Sequence, residues 1–175
     1  GDVYKRQVAI SYGASPDSSH VIQWGVDTKT FKPLTDSSSI RGELGLNSDC
    51  PVVISTRSFK PIYNIDIIIK SIPLVLKSEP NTKFILKNSY GARGPELINL
   101  AREIGVLDSI ILIDKLIDYR KMAYLLNASD IFVSVPTSDS TSASLLDSLA
   151  CELPVVVSDL PANREWVNDG WNGYI

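Results

Sequence analysis

Five short apolar runs constrain this chain more than any other feature: "PVVIS" (51–55), "KFILK" (83–87), "SIILI" (109–113), "DIFVSV" (130–135) and "PVVVS" (154–158). They are continuous rather than alternating, which marks strands buried on both faces, as in parallel sheets. "HVIQW" (20–24) is a weaker sixth candidate. Between the runs the period becomes helical. Ile65, Ile68, Ile69, Ile72 and Leu76 fall on one helix face, with Pro73 expected to kink or shift it. Leu97, Leu100, Ala101 and Ile104 repeat the spacing and Gly105 follows as a C-cap. Met122, Leu125 and Leu126 form a third stripe, and Leu145, Leu146 and Leu149 a fourth. Strands and helices that alternate through short connections predict an α/β fold: a doubly wound parallel sheet with right-handed crossovers.

Composition narrows the function classes. The 175 residues are 44% hydrophobic and 21% charged, enough for one globular core. A formal charge of −3 argues against a nucleic-acid partner, because phosphate neutralisation wants a basic surface. No apolar run reaches the length of a membrane span. Cys50 and Cys151 stand in no metal or redox spacing and read as two reduced, buried thiols, with a disulfide left open.

The most informative loop is "TSDSTSASLLDSLACELPVVVSDLP" (137–161), where Asp139 precedes a helix and Asp147 lies inside it. Ligands of open α/β sheets bind beyond the carboxyl ends of the strands, and this loop follows a strand. Thr141 or Ser142 is placed to N-cap the helix, whose first amides and positive dipole end suit a phosphate. A capped helix with solvated loop carboxylates is the plainer alternative. Arg57, just past the first strand, is at the same edge and can grip a phosphate bidentately. Other chemistries fit worse. The only histidine, His20, precedes the first clear strand and there is no GxSxG, so no hydrolase triad is expected. No Asp-x-Asp pair or Cys/His cluster is present to hold a metal. "GARGP" (91–95) is neither a phosphate loop nor a dinucleotide fingerprint.

Taken together, several segments resemble retaining glycosyltransferases of family 4. "VIQWGVD" is similar to the family's V-I-P-[NW]-G-V-D, and "STRSFKPIYNID" to its G-R-x-x-P-E-K-G-x-D. "LLNASDIFVSVPTSDSTSASLLDSLACELPVVVSD" resembles the Y-x-x-A-D-x-F-V segment that runs through E-G-F-G-L to A-C-G-L-P-V-V. "REWVNDGWNGYI" resembles P-E-I-V-x-D-G-x-N-G-x-L. The resemblance covers residues 21–175 and implies the Rossmann-like C-terminal half of a GT-B fold.

It further implies a function: retaining, metal-independent transfer of a hexosyl group from a nucleotide-diphosphate sugar, with no cofactor. By this resemblance Asp139 contacts the transferred sugar and Asp147 the ribose. The amides of Ser140, Thr141, Ser142 and Ala143 meet the diphosphate and sugar, Arg57 binds phosphate, and the loop near Lys115 and Leu116 reads the base. The departures are specific. Both family glutamates are aspartates, Tyr63 stands in the lysine position with Lys60 as a substitute, Asn64 replaces a glycine, and Glu152 replaces a glycine at a left-handed helix end. A degenerate, non-catalytic nucleotide-sugar binder is therefore the alternative. A sugar-nucleotide epimerase or phosphorylase-like enzyme would need further acids and histidines.

In domain terms, "DVYKRQ" resembles the translation of a transposon end used to prepare sequencing libraries, so residues 1–7 are expected to be a scar. Residues 8–50 are expected as an interdomain strand and linker, with a turn and linker at 24–34 and a short capped helix at 36–46. Residues 51–175 are expected as the donor-binding domain, truncated at both ends. An unknown acceptor would belong to an N-terminal domain outside the chain. The longer protein is expected in the cytoplasm, with peripheral membrane attachment possible.

Overall fold

The computed structural model describes residues 2–88 and 93–175. Its centre is one sheet of six parallel strands: β1 (Val52–Ser55), β2 (Lys83–Asn88), β3 (Ile110–Asp114), β4 (Ile131–Ser134), β5 (Val155–Val157) and β6 (Gly173–Tyr174). Their spatial order is β3-β2-β1-β4-β5-β6. The five apolar runs all became strands, to within a residue or two at each end. The two-residue β6 did not stand out in the sequence because a strand this short carries no period. It adds to β5 through Val155↔Gly173 and Val156↔Tyr174.

Helices cover both faces. α3 (Ile65–Ser78) and α4 (Gly94–Glu103) join β1 to β2 and β2 to β3. They bury Phe59, Ile65, Ile68, Ile69, Ile72, Phe84 and Leu97 on one side. α5 (Tyr119–Asn127) and α6 (Ala143–Ala150) lie on the other side, over a core that includes Ile54, Ile85, Leu126, Phe132 and Leu145. α3 runs unbroken through Pro73. The proline costs roughly 3 kcal/mol in a helix interior, and four buried isoleucines on one face offset it. Gly105, at φ 75°, ends α4 in the left-handed conformation expected of it. The "GARGP" stretch lies partly outside the described residues; Gly94 opens α4.

The segment 8–50 departs most from expectation. It contains no strand: "HVIQW" is irregular, and Ile22 and Trp24 are exposed. Nor is its second half a linker. Asp27 forms a side-chain turn, accepting from the Lys29 amide at 3.0 Å and the Thr30 hydroxyl at 2.7 Å. Phe31 then enters the core and meets Tyr119 edge-on, with ring centroids 6.0 Å apart. Asn127 accepts from the Leu34 amide and donates to the Lys32 carbonyl. α2 (Ser38–Glu43) is the short helix expected here, but Ser37 makes no side-chain cap; Asp36 accepts from the Ser38 amide instead. Arg41 from α2 donates to the Ala128 carbonyl at 3.1 Å and to the Cys50 carbonyl. Leu46 and Cys50 are buried in the same core, so residues 31–50 belong to the folded body. Before them, α1 (Asp2–Ser11) covers most of the stretch set aside as a scar.

Cys50 and Cys151 are both free and buried. Among the described residues, Asn64 and Glu152 are the non-glycine residues at positive φ, 51° and 60°, each where the family resemblance puts a glycine. Replacement Glu152→Gly should raise unfolding stability by about 1 kcal/mol, read from urea denaturation. By contrast, a Cβ on Gly173 would lie 2.3 Å from the Val155 carbonyl oxygen. Gly173→Ala should therefore cost about 1–3 kcal/mol in the same assay.

Candidate functional site

A sheet ordered 3-2-1-4-5-6 reverses direction between β1 and β4, and the loops leaving those two strands diverge to open a crevice. The site is built there. The loop after β1 carries Arg57, and the loop after β4 carries Asp139 and leads into α6. Three contacts fix these loops to each other. The Asn64 side-chain amide donates to the Val135 carbonyl at 2.9 Å and to the Thr137 hydroxyl at 3.0 Å. The Thr137 amide donates to the Ile62 carbonyl at 2.9 Å. On the other flank Ser158, just past β5, donates its hydroxyl to the Pro136 carbonyl at 2.8 Å. Asn64 holds its left-handed backbone while its side chain does this, a use the sequence did not announce.

Arg57 is the organising group. Its Nη2 donates to Asp139 Oδ2 at 2.6 Å, and its Nη1 to the hydroxyls of Ser142 at 2.5 Å and Ser144 at 3.0 Å. The guanidinium carbon lies 4.1 Å from the centre of the Tyr63 ring, a cation–π contact. Side-chain exposure is 10% for Arg57 and 18% for Asp139, so the pair is largely withdrawn from water. Ser142 occupies the N-cap position of α6, but its hydroxyl does not cap. The strong charged donor of Arg57 has taken it, with Ser144 Oγ 2.9 Å away. Ser144 escaped sequence reasoning; the only hint was hydroxyls two apart, which is common at helix starts.

Other expected residues lie around this cluster in different ways. The Ser140 amide donates to Asp139 Oδ1 at 2.9 Å, and its hydroxyl accepts from Lys5 Nζ at 3.5 Å. Thr141 is buried, and Ala143 is the exposed first residue of α6. Tyr63 offers its ring face to Arg57 rather than a charge to a ligand. Lys60 is exposed and makes none of the contacts around Arg57. Leu116 is exposed on the loop after β3, at the same sheet edge but outside the cluster. A cation not anticipated there is Lys87, buried near the end of β2, with burial lowering its pKa.

Asp147, in the second turn of α6, is half-buried, and burial raises its pKa to about 6. Among the described residues no hydrogen bond or ion pair reaches its carboxylate. One turn on, burial and then the Asp147 charge push the Cys151 thiol up to about 11. A second anomaly lies at the end of β1. Ser55 Oγ, Thr56 Oγ1 and Arg57 Nε are buried without hydrogen-bond partners, three of five such atoms among the described residues. Each orphaned buried polar atom costs about 1–3 kcal/mol. Three in consecutive residues at the switch point mark a place shaped by something other than stability. No group of three acidic, histidine or cysteine side chains among the described residues could hold a metal ion.

A parallel sheet in this strand order, covered by helices on both faces, has the architecture of one half of a GT-B fold. The chain belongs to the glycosyl transferases group 1 family, whose model matches residues 36–175. It is 30% identical over 183 residues to the D-inositol 3-phosphate glycosyltransferase of Acidothermus cellulolyticus, with 97% of this chain and 39% of the relative covered. The corresponding protein of Actinosynnema mirum is 28% identical, with 99% and 43% covered. The chain thus spans about two fifths of the length of these curated relatives. Among solved structures, Anabaena HepE in complex with UDP-glucose superposes with a TM-score of 0.82 at 21% identity, covering 99% of this chain and 47% of that one. The C-terminal domain of a glycosyl transferase group 1 family protein from Francisella tularensis superposes at 0.74 and 21% identity, covering 86% and 78%. No helix among the described residues is long and apolar enough to cross a membrane.

The Asp147 shift has a defined pH signature. Its folded-state value, about 6, lies above the ordinary 3.8, so the folded protein binds the extra proton between those values. Stability contributed by the protonated form is present at low pH and lost as pH rises from about 4 to 6. Asp147→Asn should match wild type below pH 4 and exceed it above pH 6 by on the order of 1–2 kcal/mol, a figure discounted for solvent reach. Urea denaturation across that pH range checks it.

Proposed function

We propose that this chain is the donor-binding part of a retaining, metal-independent hexosyltransferase that uses a nucleotide-diphosphate sugar. The observation that carries this reading is the run Ser55, Thr56 and Arg57, with three orphaned polar atoms and an arginine nine-tenths buried at the switch point. A buried arginine beside a helix N-terminus answers a diphosphate without a metal ion. The complex of the related HepE fold with UDP-glucose supports a donor of the same class.

In this reading Arg57 and the amides that lead into α6, from Thr141 to Ala143, hold the diphosphate. As the bond to the sugar breaks, negative charge grows on the leaving diphosphate, and these fixed donors stabilise it in place. Asp147 accepts from the ribose hydroxyls, which gives its half-buried charge the donors it lacks among the described residues. Asp139 meets the hydroxyls of the transferred sugar. Tyr63, where the family resemblance puts a lysine, keeps the guanidinium plane oriented and leaves Arg57 as the main cation. Leu116 borders the base. In this reading the acceptor is met outside these 175 residues, the curated relatives being more than twice this length.

Isothermal titration with UDP, GDP and ADP tests the reading. One nucleotide should bind in the absence of metal, with no change on adding EDTA. Arg57→Ala should weaken it at least tenfold, about 1.4 kcal/mol or more. Binding to the wild type should tighten from pH 5 to 7 as Asp147 ionises, and lose that slope in Asp147→Asn. Absence of binding to all three nucleotides by folded protein would overturn the reading.

A further inference from the structure

We infer that Asp139 is a two-position carboxylate: it sits on Arg57 until a diphosphate takes the guanidinium, and is thereby released to the transferred sugar. The inference rests on the donor-site reading above and adds to it an order of events and a source of specificity. Arg57 has two terminal nitrogens and both are engaged. One is held by Asp139 Oδ2 at 2.6 Å, the other by the Ser142 and Ser144 hydroxyls. The Tyr63 ring covers a face of the guanidinium. Three of its five N–H donors are used and Nε is buried, so a phosphate gains a two-bond grip on the guanidinium only if a present occupant leaves.

The occupants differ in how easily they can go. Ser142 and Ser144 are fixed by α6, whose first turn they form, and they bond to each other. Tyr63 is held in the short helical turn Pro61–Tyr63. Asp139 is on the loop ahead of α6, and its other oxygen touches only the next amide, that of Ser140. It is also the one anion among them, so an incoming phosphate replaces its charge on Arg57 like for like. Leaving Arg57 without an anion would cost much more, because the side chain is nine-tenths buried and its Nε already lacks a partner. The exchange therefore moves Asp139 only when a phosphate is there to succeed it. It couples capture of the diphosphate to delivery of a carboxylate to the sugar hydroxyls. Free sugars, which carry no phosphate, leave Asp139 on Arg57 and meet an incomplete site.

The test is titration calorimetry of the 175-residue chain with inorganic pyrophosphate, UDP and UDP-glucose, comparing wild type with Asp139→Asn and Asp139→Ala. Asp159→Asn is the control. It removes the same charge from the loop after β5, where Asp159 pairs with Arg164. Pyrophosphate and UDP should bind roughly three- to tenfold tighter to both Asp139 variants, because Arg57 no longer has a competing anion. The control should stay within about twofold of wild type. UDP-glucose should gain less than UDP, since its sugar contact is lost. In the wild type, the Asp139 carboxyl carbon and Arg57 guanidinium nitrogen resonances should move together as pyrophosphate is added. Unchanged or weaker pyrophosphate binding in the Asp139 variants, or an equal gain in the control, would overturn the switch while leaving the donor site standing. If no protein, wild type or variant, binds pyrophosphate or UDP, the donor-site reading and the switch fall together.

Discussion

The pairing of β1 with β4 is the constraint on which the rest depends. Only two register pairs join them, Val53↔Ile131 and Ile54↔Phe132, yet this is where strand order reverses. The amino ends are clamped from outside the strands. Asp130 accepts from the Val52 amide at 2.7 Å and returns its own amide to the Val52 carbonyl at 2.8 Å. Arg41 lies 3.6 Å from the same carboxylate while donating to the Ala128 carbonyl. A slip of one residue would send Phe132 and Ile54, both fully buried, to the opposite face and break this clamp. Holding the amino ends in register sets the carboxyl ends, and with them the placement of Arg57 opposite Asp139.

The chemistry at the other end of those strands runs against the packing that supports it. Beneath the crevice the core is ordinary: branched aliphatic residues, Phe132 and Leu145, closed on both faces of the sheet. At its rim the chain leaves hydroxyls and a guanidinium nitrogen buried without partners, and a carboxylate half out of water. Such features lower stability, and they are tolerated because parallel strands and the clamp below supply a rigid base. A site on a rigid base can keep charged groups oriented before a ligand arrives, which is what electrostatic catalysis needs.

The N-terminal third shows how tertiary contacts change the meaning of a stretch. Residues 31–50 have no strong period and, apart from the short helix expected at 36–46, read as connection. In the fold they supply Phe31, Leu46 and Cys50 to the core, and α2 lies beside α5. Isolated anchors such as a single phenylalanine leave no pattern along a sequence, because what they pack against is about a hundred residues away. Conversely "HVIQW" had a strand-like composition and found no neighbouring strand, so its backbone stayed irregular.

The sequence by itself determined the parallel α/β architecture, the edge at which a ligand would sit, and the candidates Arg57, Asp139 and Asp147. Each follows from local information: β-branched runs, helical period, and the loops that must follow strand ends. The left-handed positions at Asn64 and Glu152 were legible through the family resemblance, which puts a glycine at each. Only the tertiary structure decided how those candidates are used. That Arg57 takes hydroxyls meant for capping, that Tyr63 lends a ring instead of a charge, and that Lys60 stays apart all depend on side chains meeting across the switch point. So does the half-burial of Asp147. Distances between loops that leave different strands are set by sheet order and register, and a linear sequence carries no measure of them.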